Sequence, residues 1–449
     1  MTVLLVLPAV LATLFMSACD SAPRCELRLA TREWQANDCR AADADGDGID
    51  ELLILDEASI SARNLDLTFD WQVPSPIPDE ARCHLFPRSA GRESSPQFAI
   101  TASVPESLLL FMSGRRSVLD CRRQPRNSRA TWDVDFLGAD SADLNADGEN
   151  DLVVSIGSGY AWPWLGRGVY AVDGRTSRLL WRYGLGPVPH APVIADVNRD
   201  GQPEILISTG AVGNGCIENG TADTCAYVLC LDGLGRQLWS RPVRFGSGAW
   251  TEVEAADLDG DGRPEVFTVE NSCVADSTMG SIMLLNPDDG SILARRQVDS
   301  IQGCHVVGDL DADGRQEIVT STRNGVVTVR GLGLEPIRSV PLSDGIDWVG
   351  ACDHLLGTKQ RQFAVVTQAG ALKVLDHRLR TLATISLSRI VEEVRPVHTG
   401  TNTPMGLLVA TAPYLRGSYQ DNWILLRLHI LRNPFPWAVL TGILAVLLA

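Results

Sequence analysis

Asp257-Leu258-Asp259-Gly260-Asp261-Gly262-Arg263-Pro264-Glu265 occurs in five versions along the chain, the others starting at Asp43, Asp143, Asp196 and Asp309. Each version offers carboxylate or amide oxygen at positions 1, 3 and 5, Gly at position 6, and Asp or Glu at position 9. A hard cation such as Ca2+ takes about six to eight oxygens, from side chains and backbone carbonyls. Gly at position 6 permits the tight turn, because it accepts backbone angles that other residues avoid. One copy would read as a solvated acidic turn. Five read as a repeated calcium loop, so up to five Ca2+ ions are expected.

The EF-hand shares this opening but needs a bidentate Glu at position 12 and a helix on each side. Position 12 is here Ile54, Val154, Ile207, Thr268 or Thr320, none of which can serve. The residues after each loop form short β-branched runs, such as Leu152 to Ile156 and Val266 to Val269, which favour strands. The residues before it (Ala191 to Ala195, Cys304 to Gly308) are also short and extended in character. The loop therefore joins two strands.

A second pattern follows each loop: strand, turn with Gly or Asp, strand. Val169 to Gly174 with Leu179 to Arg182 is one example, and Tyr227 to Gly233 with Gln237 to Ser240 is another. A unit is thus four short strands in about 50 residues, and repeats of this length indicate a β-propeller in which each blade covers the next. The long gap after the first loop leaves room for an acid-free unit, with Pro96 to Thr101, Leu108 to Met112 and Ser117 to Cys121 as strands. Two more units begin at Asp353, whose loop (His354 to Arg361) lacks the acids, and near His398. The expected fold is all-β, a propeller of eight four-stranded blades, or seven if one acid-free unit is over-counted. The last unit is one strand short, and Glu26 to Gln35 is a spare strand expected to complete it and close the ring.

The loop followed by a short apolar strand resembles the FG-GAP/VCBS repeats of integrin α-subunit propellers and their bacterial relatives, over roughly residues 26–432. The resemblance implies Ca2+ at Asp43, Asp45, Asp47 and Glu51; at Asp143, Asn145, Asp147 and Asp151; and at Asp196, Asn198, Asp200 and Glu204. It implies the same at Asp257, Asp259, Asp261 and Glu265, and at Asp309, Asp311, Asp313 and Glu317. The position-7 backbone carbonyls belong to Ile49, Glu149, Gln202, Arg263 and Arg315. No metal is expected in the acid-free units. The Val169 to Gly174 and Trp181 pattern is also similar to PQQ-type propeller repeats, including those of an envelope assembly scaffold, but the Trp recurs only at Trp239.

The net charge of −16 is accounted for by the acids of the five loops, and no basic stripe is present, which argues against nucleic acid as a partner. A hydrophobic content of 45% over 449 residues is ample for a large core. Residues 1–18 are apolar and run into Met16-Ser17-Ala18-Cys19, which resembles a bacterial lipoprotein signal although no Lys or Arg precedes the apolar run. Lipidation is expected at Cys19, with 19–25 as a linker, placing the protein in the bacterial cell envelope on the outer side of a membrane. The apolar segment 433–449 is expected to associate with membrane, though Trp437 to Ala449 is shorter than the ~20 residues of a spanning helix. The remaining ten Cys are an even set, as in exported proteins with disulfides. Cys216–Cys225 is the first pair expected; Cys25–Cys39, Cys83–Cys121, Cys230–Cys273 and Cys304–Cys352 complete the set by neighbourhood.

Strands alternate in direction, so the calcium loops share one face and the other loops share the opposite one. The opposite face holds Tyr160, Trp162, Trp164, Tyr414, Arg416 and Tyr419, which suit protein or glycan binding or simply pack as loop cores. His190, His305 and His398, just before or at the start of inner strands, read as channel-facing groups, and His190 and His305 also as hydrogen-bonded strand residues. No nucleophile elbow, H-E-x-x-H or Walker loop is present. The expectation is a membrane-anchored binding or adhesion propeller with structural Ca2+ and no chemistry. Related loops occur in propeller polysaccharide lyases, so a lyase acting on acidic glycans is the alternative.

Overall fold

The computed structural model describes residues 24–30, 33–36, 38–43, 47–56, 59–66, 68–74, 82–88, 97–104, 107–112, 115–119, 134–158, 166–272, 279–299, 301–342, 344–387, 390–400, 405–411 and 421–431. Every regular element among them is a strand. Asp38–Ala42, Glu51–Leu55, Ser59–Arg63 and Phe69–Pro74 form one antiparallel four-stranded sheet in chain order. The same up-and-down order recurs over 82–119, 134–184, 301–341 and 346–386. The acid-free stretch at 82–119 is a full sheet, as expected. Residues 188–245 and 249–299 form two such meanders that share one bridge, Gly210 opposite Trp250.

The final sheet takes three strands from the end of the chain and its fourth from the beginning. Arg24–Leu29 runs antiparallel to Asp421–Leu431, with Arg24 opposite Leu431 and Leu29 opposite Leu426. The spare strand expected over Glu26 to Gln35 is two pieces, since Trp34–Ala36 pairs separately with the other end of Asp421–Leu431. First strands of neighbouring sheets touch in sequence, and the cycle closes where Val391–Val397 meets Asp38–Ala42. Sheets arranged this way form a repeat β-propeller.

The second strand of each sheet explains why the units need one another. Glu204–Gly210, Gln362–Thr367 and Gly406–Thr411 are buried along nearly their whole length. Alternate residues of a strand point to opposite faces, and here both faces are covered. Ile205 and Ile207 enter a core with Val153, Val169 and Leu229, whereas Leu206 enters another with Val266 and Met283. Phe363 and Val365 likewise pack with Val319 and Val327, while Ala364 and Val366 face Leu407 and Val409. Leu27, from the N-terminal strand, completes that last cluster.

The two recurring Trp residues act as staples between sheets. Trp181 Nε1 donates to Gly233 O at 2.9 Å, and Trp239 Nε1 donates to Pro287 O at 2.7 Å. Each indole lies over a hairpin Gly of the next sheet. A Cβ at Gly235 would come within 2.5 Å of Trp181, and one at Gly290 within 2.5 Å of Trp239.

Four thiols depart from the expected disulfides. Cys39, Cys216, Cys225 and Cys230 are free, so Cys216–Cys225, Cys25–Cys39 and Cys230–Cys273 do not form. The Cys216 sulfur faces Leu185 O, while the Cys225 sulfur turns into its own strand toward Ala226 O and sits in the core. Burial pushes the thiols of Cys39, Cys225 and Cys230 up, as befits packed apolar groups. Cys121 and Cys273 lie outside the described residues, as do 1–23 and 432–449, which carry the expected signal, lipidation and C-terminal membrane segments.

Gly290 combines positive φ with the indole contact, so Gly290→Ala is expected to destabilise the protein by about 1–3 kcal/mol. Urea unfolding of the variant measures this, and an unchanged midpoint would refute the staple.

Candidate metal-binding loops

All five loops are built by the same short-range hydrogen bonds. The position-1 Asp accepts from the position-6 Gly amide: Gly48 to Asp43 at 3.0 Å, Gly148 to Asp143, Gly201 to Asp196 and Gly262 to Asp257 at 2.9 Å, and Gly314 to Asp309 at 3.1 Å. The position-5 Asp accepts from the position-7 amide, as from Ile49 to Asp47 and Arg315 to Asp313. Position-6 φ values of +82° to +92° in these loops require Gly. The bonds therefore set the turn, and in loops two to five they engage both oxygens of the position-1 Asp.

The position-9 acid begins the buried second strand and reaches back to the position-2 amide. Leu144 donates to Asp151 at 3.0 Å, Val197 to Glu204 at 3.0 Å, Leu258 to Glu265 at 2.9 Å and Leu310 to Glu317 at 2.9 Å. Burial pushes these carboxyls above their ordinary range, and neighbouring acids of the same loop add to the rise. Glu317 is lifted to about 7, with Asp309, Asp311 and Asp313 contributing after burial.

In loops four and five, Asp257, Asp259 and Glu265, and Asp309, Asp311 and Glu317, bring carboxylate oxygens within 4.8 Å of one another. This all-oxygen donor set fits a hard dication. In loops two and three the position-3 amide bridges instead: Asn145 Nδ2 donates to Asp151 and Asp173, and Asn198 Nδ2 to Glu204 and Asp200. In loop one, Asp45 lies outside the described residues.

The acid-free unit at 353–362 solves the same problem without a cation. Gln362 starts its second strand, and its Oε1 accepts from Leu356 N at 2.8 Å. Its Nε2 donates to Gln360 O at 2.6 Å and Thr358 Oγ1 at 3.3 Å, so a tethered amide satisfies the loop oxygens. Sequence reading overlooked Gln362 because this loop, of the same length as loop five by strand register, lacks the acids that mark the motif.

Neighbouring loops are also tied together. The position-8 amide donates to a carbonyl at the start of the preceding loop: Gln316 N to Asp257 O at 2.9 Å, Arg361 N to Leu310 O at 3.1 Å, and Met405 N to Leu355 O at 2.9 Å. Asp50 N to His398 O, at 2.9 Å, carries this across the seam between the chain's two ends. In loop four that position is Pro264, which has no N–H. There the Arg263 side chain substitutes, its Nε donating to Val197 O at 2.9 Å.

Over the seam lies a cavity of about 550 Å3, lined by Gly48, Ala312, Asp353, His354, Thr358, Lys359, His398 and Met405 among others. His398 is held by Asp50, whose Oδ2 accepts its backbone amide at 2.6 Å and lies 3.2 Å from its ring Nδ1. Its Nε2 stands 4.0 Å from Asp353 Oδ2.

The expected binding-face residues Tyr160, Trp162, Trp164, Tyr414, Arg416 and Tyr419 all lie outside the described residues. His190 lies between the short strands Val188–Pro189 and Val193–Ala195, His305 lies within Ile301–Gly308, and both are held by partners. His190 Nδ1 is 2.7 Å from Thr251 O, and burial pushes its pKa down. Burial also presses on His305, but Glu252 at 3.1 Å and Glu254 at 3.7 Å outweigh it and raise its pKa.

The FG-GAP-like repeat family matches residues 143–207, which span loops two and three. No curated protein sequence matches the chain. Among solved structures it is similar to BamB from Moraxella catarrhalis, at 12% identity over 88% of this chain and 100% of that one, with a TM-score of 0.47. It is also similar to a rhamnogalacturonan lyase of Bacillus licheniformis, at 14% identity over 84% and 72% of the two chains, with a TM-score of 0.45. The V. cholerae biofilm matrix protein Bap1 is 14% identical over 88% and 77%, with a TM-score of 0.39. Rhamnogalacturonan lyases recur among these structures, which corrects the expectation of a fold used without chemistry; that exclusion is withdrawn.

The raised position-9 carboxyls bind their protons more tightly in the folded chain than in the unfolded one. Without metal, stability is therefore expected to fall as pH rises from about 4.5 through about 7, and saturating Ca2+ should remove the fall. Thermal melts across that window measure it, and a metal-free melting temperature that climbs with pH would contradict it.

Proposed function

We propose that the chain is an exported, membrane-anchored β-propeller of eight four-stranded blades, stabilised by Ca2+, that serves as a binding module for a protein or glycan. The grouping of strands into sheets and the closed cycle of first-strand contacts support the blade count. The observation that carries the calcium reading is the position-9 carboxylate, set beside other acids, buried at Glu51, Asp151, Glu204 and Glu317 and half-buried at Glu265, and replaced by the Gln362 amide in the unit after loop five. A cation stabilises each loop by cancelling that repulsion, so its binding free energy becomes folding free energy. The anchor is the lipid on Cys19, joined by the apolar residues 433–449.

Two measurements test the proposal. Chelation is expected to lower the melting temperature by roughly 5–10 °C, from a few kcal/mol of linked binding. An unchanged melt after verified metal removal would sink the calcium reading. Mass spectrometry of the mature protein from a bacterial host should find Cys19 as a diacylglyceryl N-terminus; an unmodified Cys19 would refute the anchor.

A further inference from the structure

We propose that the cavity over the ring seam binds a carboxylated sugar unit, with Lys359 receiving the carboxylate and Asp353 and His398 the hydroxyls. This rests on the binding-module reading and gives it a site and a ligand class. The cavity, at about 550 Å3, lies within the ~300–1,000 Å3 range of small-ligand sites. Gly48 and Ala312 bring two calcium loops to its rim, and the rest of the described lining comes from the two acid-free units. Where those units lack loop acids they place basic groups. Two of the seven His residues, His354 and His398, and one of only two Lys residues line this one cavity.

The positioning is built rather than incidental. Asp50 grips His398 through its backbone amide and its ring Nδ1, which fixes the imidazole and leaves it 57% exposed. The reciprocal Asp50 N to His398 O bond locks the same pair from the backbone. Lys359 is exposed beside it, on the loop that Gln362 braces through Thr358 and Gln360.

The lining selects the ligand class. Its polar groups come from Asp353, His354, Thr358, Lys359 and His398, and Met405 is itself buried. Asp353 and Asp50 repel a compact polyanion such as phosphate. One ammonium group, a carboxylate whose Oδ1 accepts from the His354 amide at 2.7 Å, two imidazoles and a hydroxyl suit a frame with one carboxylate and several hydroxyls, which is a uronate within a glycan. Ca2+ in the flanking loops would add positive potential at the rim.

Trigalacturonate and its neutral methyl ester, titrated calorimetrically into the calcium-loaded full chain, test the assignment. The acid is expected to bind with a stoichiometry of one and the ester about tenfold or more weaker. Lys359→Gln should weaken the acid about tenfold, leave the ester unchanged and keep the wild-type melting temperature. His398→Gln should weaken both. Equal binding of acid and ester, or wild-type affinity in Lys359→Gln, overturns the proposal. No binding of trigalacturonate also overturns it; if chelation still lowers the melt, the calcium-stabilised module survives. Binding that persists in both variants places the glycan on another surface.

Discussion

A carboxylate at the start of the second strand in the five acidic units is the constraint around which the fold is arranged. It must cap the position-2 amide, lie next to other acids and still lead into a strand buried on both faces. Glu317 shows the tension, since burial and three neighbouring Asp residues lift its pKa to about 7. On the proposed calcium reading, a dication would relieve this by turning like charges into ligands. Gln362 relieves it by removing the charge and supplying two N–H donors. Both arrangements keep the cap on the position-2 region and the same strand behind it.

That strand sets the cooperativity of the ring. Ile205 and Leu206 are adjacent in sequence but belong to different cores, so neither neighbouring sheet can leave without exposing half the strand. The bonds from position 8 to the preceding loop add a second layer of coupling on the loop face. Pro264 would break that series, and Arg263 restores it from a side chain. A local loss of one backbone donor is thus compensated one residue away.

The seam is where the chain's two ends meet, and it is also where the surface chemistry changes. The two units before it lack the clustered loop acids, so those loops have no such repulsion to relieve. Asp50, one residue before a metal ligand, turns to His398 across the seam and joins ring closure to the shape of the cavity.

The loops, their spacing and the strands that follow were legible in the sequence because they depend on contacts between residues nine or fewer apart. Asp257 to Glu265 makes its turn from its own side chains, so five copies could be recognised by pattern. The closing role of the N-terminal strand was legible too, since the last unit lacked a strand. Other features arise between residues far apart in the chain and were decided only by the tertiary structure. Gln362 braces a loop that has lost the acids, through side-chain bonds that no motif marks. Cys216 and Cys225 lie close in sequence yet face different surroundings, so proximity misled. The Asp50–His398 contact spans nearly the whole chain and exists only once the ring is closed. Local hydrogen bonding wrote the loops into the sequence; the cavity depends on which distant loops the ring brings together.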